Sequence, residues 1–163
     1  MFPSLKKWVL SKHDSEEVLS SIEGSISKKL GLPRSTQVTF IQPKEDIKFA
    51  IIGELIFIEI ESIYVPFLGS RQAVSFLSSV TVDTGAVKFI LNGANVMRPG
   101  ILNYDDWGEE GKLLAVREVA KGRAIAVGKA LLKSNEMLSA QKGQCIKNIH
   151  YLGDKYWNIY KLV

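Results

Sequence analysis

The stretch VDTGAVKFILNGANVMRPGI, residues 82–101, decides how the second half of the chain folds. Asp83 stands where a carboxylate can accept the free N–H groups at the start of a helix, so we predict a helix of about two turns over 84–92. Gly93 is placed to end that helix, because glycine readily adopts the left-handed conformation of a helix stop. Pro99 and Gly100 have the residue preferences of a tight turn. We therefore predict a short helix followed by a loop between glycines. The helix should face the core with Val87, Ile90 and Leu91.

Short strands joined by tight turns surround this stretch. We predict strands over 80–82, 112–120 and 124–132, with a turn at Lys121 and Gly122 between the last two. A short helix is expected between Ser134 and Gly143. A last hairpin is expected from residues 145–152 and 155–163, turning at Gly153. Such a series of short strands predicts a small barrel.

The first half predicts a helix packed on a small antiparallel sheet. After a strand over 5–11, a helix should start at Asp14, where Glu17 completes a capping box, and stop at Gly31. Further strands are predicted over 36–42, 47–52, 55–60 and 63–68, with a short helix over 70–79. Gly53 suits a two-residue hairpin turn, and Pro66 places its strand at a sheet edge. We therefore predict an α+β fold, with a small N-terminal α/β domain over 1–79 and a second domain of mainly short β-strands over 80–163.

Composition narrows the classes of function. The chain has 163 residues, and 46% of them are hydrophobic, which is enough to build a core. The only cysteine, Cys145, allows no internal disulfide and favours a cytoplasmic protein and a plain buried thiol. With two distant histidines, His13 and His150, it gives no spaced set of zinc ligands. Residues 1–79 hold nine basic and nine acidic side chains, whereas 80–163 hold twelve and eight. The net charge of +4 therefore lies in the second half, which is weak evidence for a polyanionic partner.

The sequence has no arrangement typical of an active site. No histidine has a serine or cysteine partner at a recognisable spacing, and GEEGKL (108–113) lacks the hydroxyl of a phosphate-binding loop. The carboxylate pairs at 105–106 and 109–110 lie in a polar loop, where a solvated surface is the usual reason for them. The most apolar stretch, 47–68, is interrupted by charges and alternates like strands, so it predicts sheet and not a membrane span. We predict no enzyme activity, no cofactor and no metal.

Two segments resemble a known family. The stretch over 82–101 resembles the opening of a PUA domain, a module named after pseudouridine synthase and archaeosine transglycosylase. CIKNIHYLGDKYW (145–157) resembles the last hairpin of the malignant-T-cell-amplified-sequence family, with its archaeal stand-alone relatives and the related part of ligatin. YVPFLGSRQAVSFL (64–77) is similar to the segment that precedes the PUA domain there. The resemblance implies a PUA pseudo-barrel behind a family-specific α/β domain, and RNA binding without catalysis.

The resemblance also implies where RNA would bind. PUA domains contact RNA through the short helix, the glycine loop and the last strand, which here are residues 83–92, 93–99 and 156–161. The RNA-binding residues predicted on these elements are Lys88, Gly93, Ala94, Asn95, Arg98 and Lys161. From the residues alone the alternative stays open that Gly93 only stops a helix and Gly100 only makes a turn. His150, Met97, Trp157 and Tyr160 could likewise have functional roles, but we interpret them as packing residues.

Three functions follow as hypotheses. The first is a non-catalytic RNA-binding protein acting in translation, because eukaryotic relatives work at the small ribosomal subunit in initiation, reinitiation and recycling. Its partners would be tRNA or small-subunit rRNA, with the ribosome or an initiation or recycling factor. The second is an accessory RNA-binding subunit for tRNA or rRNA modification. The third is a protein–protein adaptor that binds its partner through the near-neutral first half.

Overall fold

The computed structural model describes residues 5–33 and 35–163. In chain order, the helices and strands are β1 (Lys6–Val9), α1 (Lys12–Ile26), β2 (Thr39–Lys44), β3 (Ile47–Ile52), β4 (Leu55–Ile60), β5 (Ile63–Pro66), α2 (Arg71–Val74), β6 (Ser78–Val82), α3 (Thr84–Ile90), β7 (Val96–Met97), β8 (Ile101–Tyr104), β9 (Leu113–Glu118), β10 (Ala124–Ala130), β11 (Gln144–Tyr151) and α4 (Lys155–Tyr160). Two short 3-10 turns lie at Arg98–Gly100 and Ser134–Glu136. The α+β class is confirmed. None of the described helices is long and apolar enough to cross a membrane.

The chain forms two compact units. The first contains the residues up to Phe76 together with Lys155–Val163, and the second is Leu77–Asp154. The sequence places the division at 79/80, three residues later, and assigns the last nine residues to the second domain. Those nine residues are where the structure differs most from the sequence prediction.

The first unit is built on a five-stranded antiparallel sheet in the order β1-β2-β3-β4-β5. The predicted β3–β4 hairpin is confirmed, and Gly53 has the positive φ of +60° that the first residue of its turn requires. Pro66 is on β5 at the sheet edge, as predicted. Phe49 and Ile58 lie opposite each other on β3 and β4, and both are completely buried.

Helix α1 is shorter than predicted and begins earlier. Ser11, not Asp14, caps it, because the Ser11 hydroxyl accepts a hydrogen bond from the Asp14 N–H at 3.1 Å. The helix ends at Ile26, where Ser27 takes the left-handed conformation at φ +59°, and so it does not reach Gly31. The predicted Asp14 start and Gly31 stop were therefore wrong.

The end of the chain forms a helix where the sequence predicts a strand. Helix α4 buries Ile159 against Phe49 and Ile58, in a cluster that also contains Trp157 and Tyr160. Trp157, Ile159 and Tyr160 all pack into this cluster, although at about 100° per residue they spread over nearly half of the helix circumference. Their aromatic and β-branched character is typical of strands, but packing against a preformed apolar surface overrides that preference. The strand prediction over 155–163 was wrong, whereas the packing role predicted for Trp157 and Tyr160 is confirmed.

The second unit is a six-stranded sheet in the order β7-β11-β10-β9-β6-β8. Strands β6 and β9 pair in parallel, and the other neighbouring pairs are antiparallel. The strands predicted over 80–82, 112–120, 124–132 and 145–152 are all present. Their inward side chains build one apolar core, in which Val80, Leu114 and Ile146 are completely buried.

Candidate nucleic-acid interface

The stretch 82–101 folds as its sequence predicts. The Asp83 carboxylate accepts a hydrogen bond from the Ala86 N–H at 2.9 Å and so caps α3. Ile90 is buried, with Val87 and Leu91 packed around the same core. The chain leaves the helix at Gly93, where φ is +94°. A Cβ at Gly93 would make an ordinary contact with the Tyr151 ring at 3.4 Å, so it is the backbone angle that favours glycine here.

A groove of about 610 Å³ lies beside α3. Its lining is mainly apolar and comes from α3, from the 94–100 segment and from Gln144 on β11. Phe89 and Met97 line it with 58% and 46% of their surface exposed. The prediction that Met97 belongs to the core was therefore wrong. An apolar surface of this kind suits the flat face of a base better than a phosphate.

A set of amide hydrogen bonds connects the groove to β11. Asn148 donates from its side-chain amide to the carbonyls of Ile90 and Ala94, each at 3.0 Å. The Asn148 backbone N–H donates to the Asn95 side-chain oxygen at 2.9 Å. The Asn95 amide in turn donates to the Gln144 side chain at 3.0 Å. Asn95, which is predicted to bind RNA, lines the groove, but both ends of its side chain are engaged within the protein.

Arg98 is directed into the protein. Its Nε donates to the Met137 carbonyl and one terminal nitrogen donates to the Ile101 carbonyl, each at 3.2 Å. The guanidinium carbon lies 6.0 Å from the centre of the Tyr104 ring. Arg98, which was predicted together with Lys88 to bind RNA, uses its side chain to bind backbone carbonyls of the protein. Neither residue lines the groove.

Lys88 and Lys142 are exposed lysines that are close in sequence to residues lining the groove. Lys88 lies on α3, with its ammonium nitrogen 5.2 Å from the centre of the Phe89 ring. Lys142 precedes Gly143, whose carbonyl accepts a hydrogen bond from the Arg98 backbone N–H at 2.8 Å. Across the described ranges, neither lysine forms a salt bridge.

The six predicted RNA-binding residues therefore separate into different positions. Ala94 and Asn95 line the groove, Gly93 ends the helix beside it, and Lys88 is exposed on α3. Arg98 holds two carbonyls. Lys161 belongs to the first unit, just after α4, so the strand on which its prediction depended is absent. Phe89 was missed, although an apolar residue on the outward side of a helix whose other side carries Val87 and Ile90 is itself a signal.

Cys145 and His150, both on β11, are buried in the protein. Cys145 is 1% exposed, and burial raises the pKa of its thiol while the charge of Arg98 lowers it to a smaller extent. His150 is completely buried and its Nδ1 lies 2.7 Å from an oxygen of Asp154. The packing roles predicted for both residues are confirmed. His13, Asp14 and Glu17 come together on the exposed surface of α1, well separated in sequence from this region.

Comparison with known proteins places the chain in a family. The PUA domain family matches residues 78–152. An uncharacterized protein of Methanocaldococcus jannaschii is 32% identical, over 94% of this chain and 96% of that protein. Malignant T-cell-amplified sequence 1-B of Xenopus laevis is 32% identical, over 78% of this chain and 74% of that protein. The chain belongs to the malignant-T-cell-amplified-sequence family.

A yeast protein and a solved archaeal structure are also similar to this chain over most of its length. Translation machinery-associated protein 20 of Saccharomyces cerevisiae is 29% identical, over 90% of this chain and 92% of that protein. A solved structure of a hypothetical protein from Pyrococcus horikoshii superposes with a TM-score of 0.77 at 28% identity, covering 94% of this chain and 99% of that one. The predicted family and the PUA fold of the second unit are thus confirmed.

Proposed function

We propose that this family member is a non-catalytic RNA-binding protein that acts in translation, in initiation or recycling. The observation that carries the proposal is the open apolar groove of the PUA domain, with Phe89 and Met97 exposed and Lys88 beside them. A base stacked on an aromatic side chain contributes roughly 1–3 kcal/mol, and a lysine can neutralise the neighbouring phosphate. The names of the yeast relatives connect the family with the translation machinery.

The groove favours an unpaired base as the element that enters it. The bases of a duplex are stacked on one another, so their faces are not available to Phe89. We assign Phe89, Met97, Ala94 and Asn95 to the base, and Lys88 and Lys142 to the phosphates. Gly93 supplies the positive φ with which the chain turns from α3 into the loop beside the groove. The partner is tRNA or small-subunit rRNA, both of which offer unpaired nucleotides, and the protein acts in the cytoplasm.

RNA binding tests the proposal with three variants of the full-length chain. The probe is a labelled single-stranded RNA of about 12 nucleotides, with a duplex of the same sequence as comparison. Phe89→Ala should weaken single-strand binding roughly 5- to 150-fold, which corresponds to the loss of one stacked base. Lys88→Ala should lower the slope of log affinity against log salt by roughly 0.7.

Lys121→Ala is the matched control, because Lys121 is an exposed lysine of the same unit in the β9–β10 turn and does not line the groove. It should bind like the wild type. Equal binding by Phe89→Ala and Lys121→Ala would reject the groove as the binding surface. Co-sedimentation from cell extract at low salt then separates the hypotheses of function. Co-sedimentation of the protein with ribosomal particles would support a role in translation, and co-sedimentation with a modification enzyme would support an accessory subunit. A protein that binds neither tRNA nor rRNA would support the adaptor hypothesis.

A further inference from the structure

Asn148 touches the groove only through other residues. It lies on β11 opposite Gly128 and does not line the groove itself. Its three hydrogen bonds go to Ile90, Ala94 and Asn95, and all three of these residues line the groove. One asparagine therefore ties the end of α3 and the loop after Gly93 to the same point of the sheet.

The chemistry of this position admits few other residues. The Ile90 carbonyl is at the last turn of α3, where it accepts the Gly93 backbone N–H at 3.0 Å and, as its second partner, the Asn148 amide. The Asn148 amide supplies both of its hydrogens, one to this carbonyl and one to that of Ala94. Its own oxygen is buried without a hydrogen-bond partner, an arrangement that normally costs free energy. The Asn148 side chain thus donates two hydrogen bonds, while its own oxygen accepts none.

We propose that Asn148 is the positioning residue of the groove, which fixes the distance between α3 and the 94–95 loop and so limits entry to an unpaired base. The proposal rests on the proposed function, since it concerns the selectivity of the same groove. Phosphate contacts made by exposed lysines do not depend on that distance. Loss of the two side-chain hydrogen bonds of Asn148 should therefore weaken single-strand binding and leave duplex binding unchanged.

Asn148→Asp is the direct test, because it keeps the shape and replaces the double donor by an acceptor that faces two carbonyls. Asn103→Asp is its matched control. Asn103 is an exposed asparagine of the same unit that uses only its side-chain oxygen, as acceptor from Tyr104, and aspartate can keep that bond. The measurement is binding of the full-length proteins to the single strand and the duplex described above, well below the melting temperature.

We expect Asn148→Asp to weaken single-strand binding at least about fivefold, with duplex binding and the Asn103→Asp control within about twofold of wild type. Combined with Phe89→Ala, it should weaken binding by less than the product of the two single effects, because both act on the same groove. A purely structural residue would weaken both probes alike. The proposal would be overturned if the double variant lost binding by the full product of the two single effects. It would also be overturned if Asn148→Asp bound the single strand as well as the Asn103→Asp control does.

Two further outcomes are separable. If Phe89→Ala binds the single strand like the wild type, the proposed function fails before Asn148 is considered. If Asn148→Asp does not melt cooperatively, Asn148→Ala replaces it. The ratio of single-strand affinity to duplex affinity should then fall as expected for Asn148→Asp. A ratio equal to that of the wild type would reject the proposal.

Discussion

Arg98 forms hydrogen bonds within the protein, although a basic residue of the stretch 82–101 would be expected to bind RNA. Its two hydrogen bonds reach the carbonyl of Met137, just after the second 3-10 turn, and that of Ile101, at the start of β8. Both hydrogen bonds are 3.2 Å long and come from a half-buried side chain, so we expect them to contribute roughly 1–3 kcal/mol together. Lys88, in contrast, is exposed, and its ammonium group lies only against the ring of its neighbour Phe89 and forms no salt bridge with the described residues.

We therefore expect Arg98→Ala to lower the free energy of unfolding by roughly 1–3 kcal/mol and Lys88→Ala to leave it within about 0.5 kcal/mol of wild type. Urea denaturation of the two variants measures this. Wild-type stability in Arg98→Ala, together with weaker RNA binding, would mean that Arg98 contacts phosphate directly.

Cys145 gives an expectation for alkaline pH. Burial raises the pKa of its thiol, so the unfolded chain releases this proton at a lower pH than the folded chain does. Over that window the unfolded state binds fewer protons, and the free energy of unfolding falls as pH rises. The stability difference between wild type and Cys145→Ala should shrink between about pH 7 and about pH 9.5. A difference that stays constant over this range would contradict the assignment.

At the residue scale, the sequence predicts what is decided locally. The Asp83 cap and the Gly93 stop follow from residues within a few positions of each other. The direction of Arg98 depends on Met137, which is far along the chain, and the exposure of Met97 depends on the edge position of β7. Neither the direction of the Arg98 side chain nor the exposure of Met97 can be predicted from the residues next to them in sequence.

Helix α4 shows the same limit at the scale of an element. Its composition favours a strand, but the apolar surface around Phe49 and Ile58 selects a helix that packs several large side chains against it. Helix α1 differs from its prediction only at its ends, because Ser11 and Ser27 provide the capping conformations that Asp14 and Gly31 were expected to provide. The β3–β4 and β9–β10 hairpins, in contrast, follow from their turn residues.

Ile159→Ala tests the role assigned to α4. Ile159 is 6% exposed within the cluster, and truncation of such a residue costs roughly 2–5 kcal/mol. Leu162→Ala is the control, because Leu162 is 66% exposed and should change stability by less than about 0.5 kcal/mol. Thermal melting of both proteins is sufficient. Similar melting temperatures would mean that α4 contributes nothing to the first unit.

For the whole molecule, the boundaries of the second unit decide which fragment can fold. We propose that residues 77–154 form an independent domain, since all core residues from Val80 to Ile146 lie inside this range. A fragment over 80–163 lacks the first two residues of β6 and exposes α4 without its sheet. The shorter fragment should melt cooperatively, and the longer one should aggregate or melt at a lower temperature. The reverse order would restore the boundary that the sequence suggests.

Cross-linking tests most directly the central claim that the PUA groove binds unpaired RNA. The full-length protein is incubated with single-stranded RNA that contains 4-thiouridine, irradiated, digested and mapped by mass spectrometry. We predict cross-links at Phe89 and Met97 and in the segment between them, with loss of these products in Phe89→Ala. Cross-links confined to residues 5–76, with none in the groove, would contradict the account.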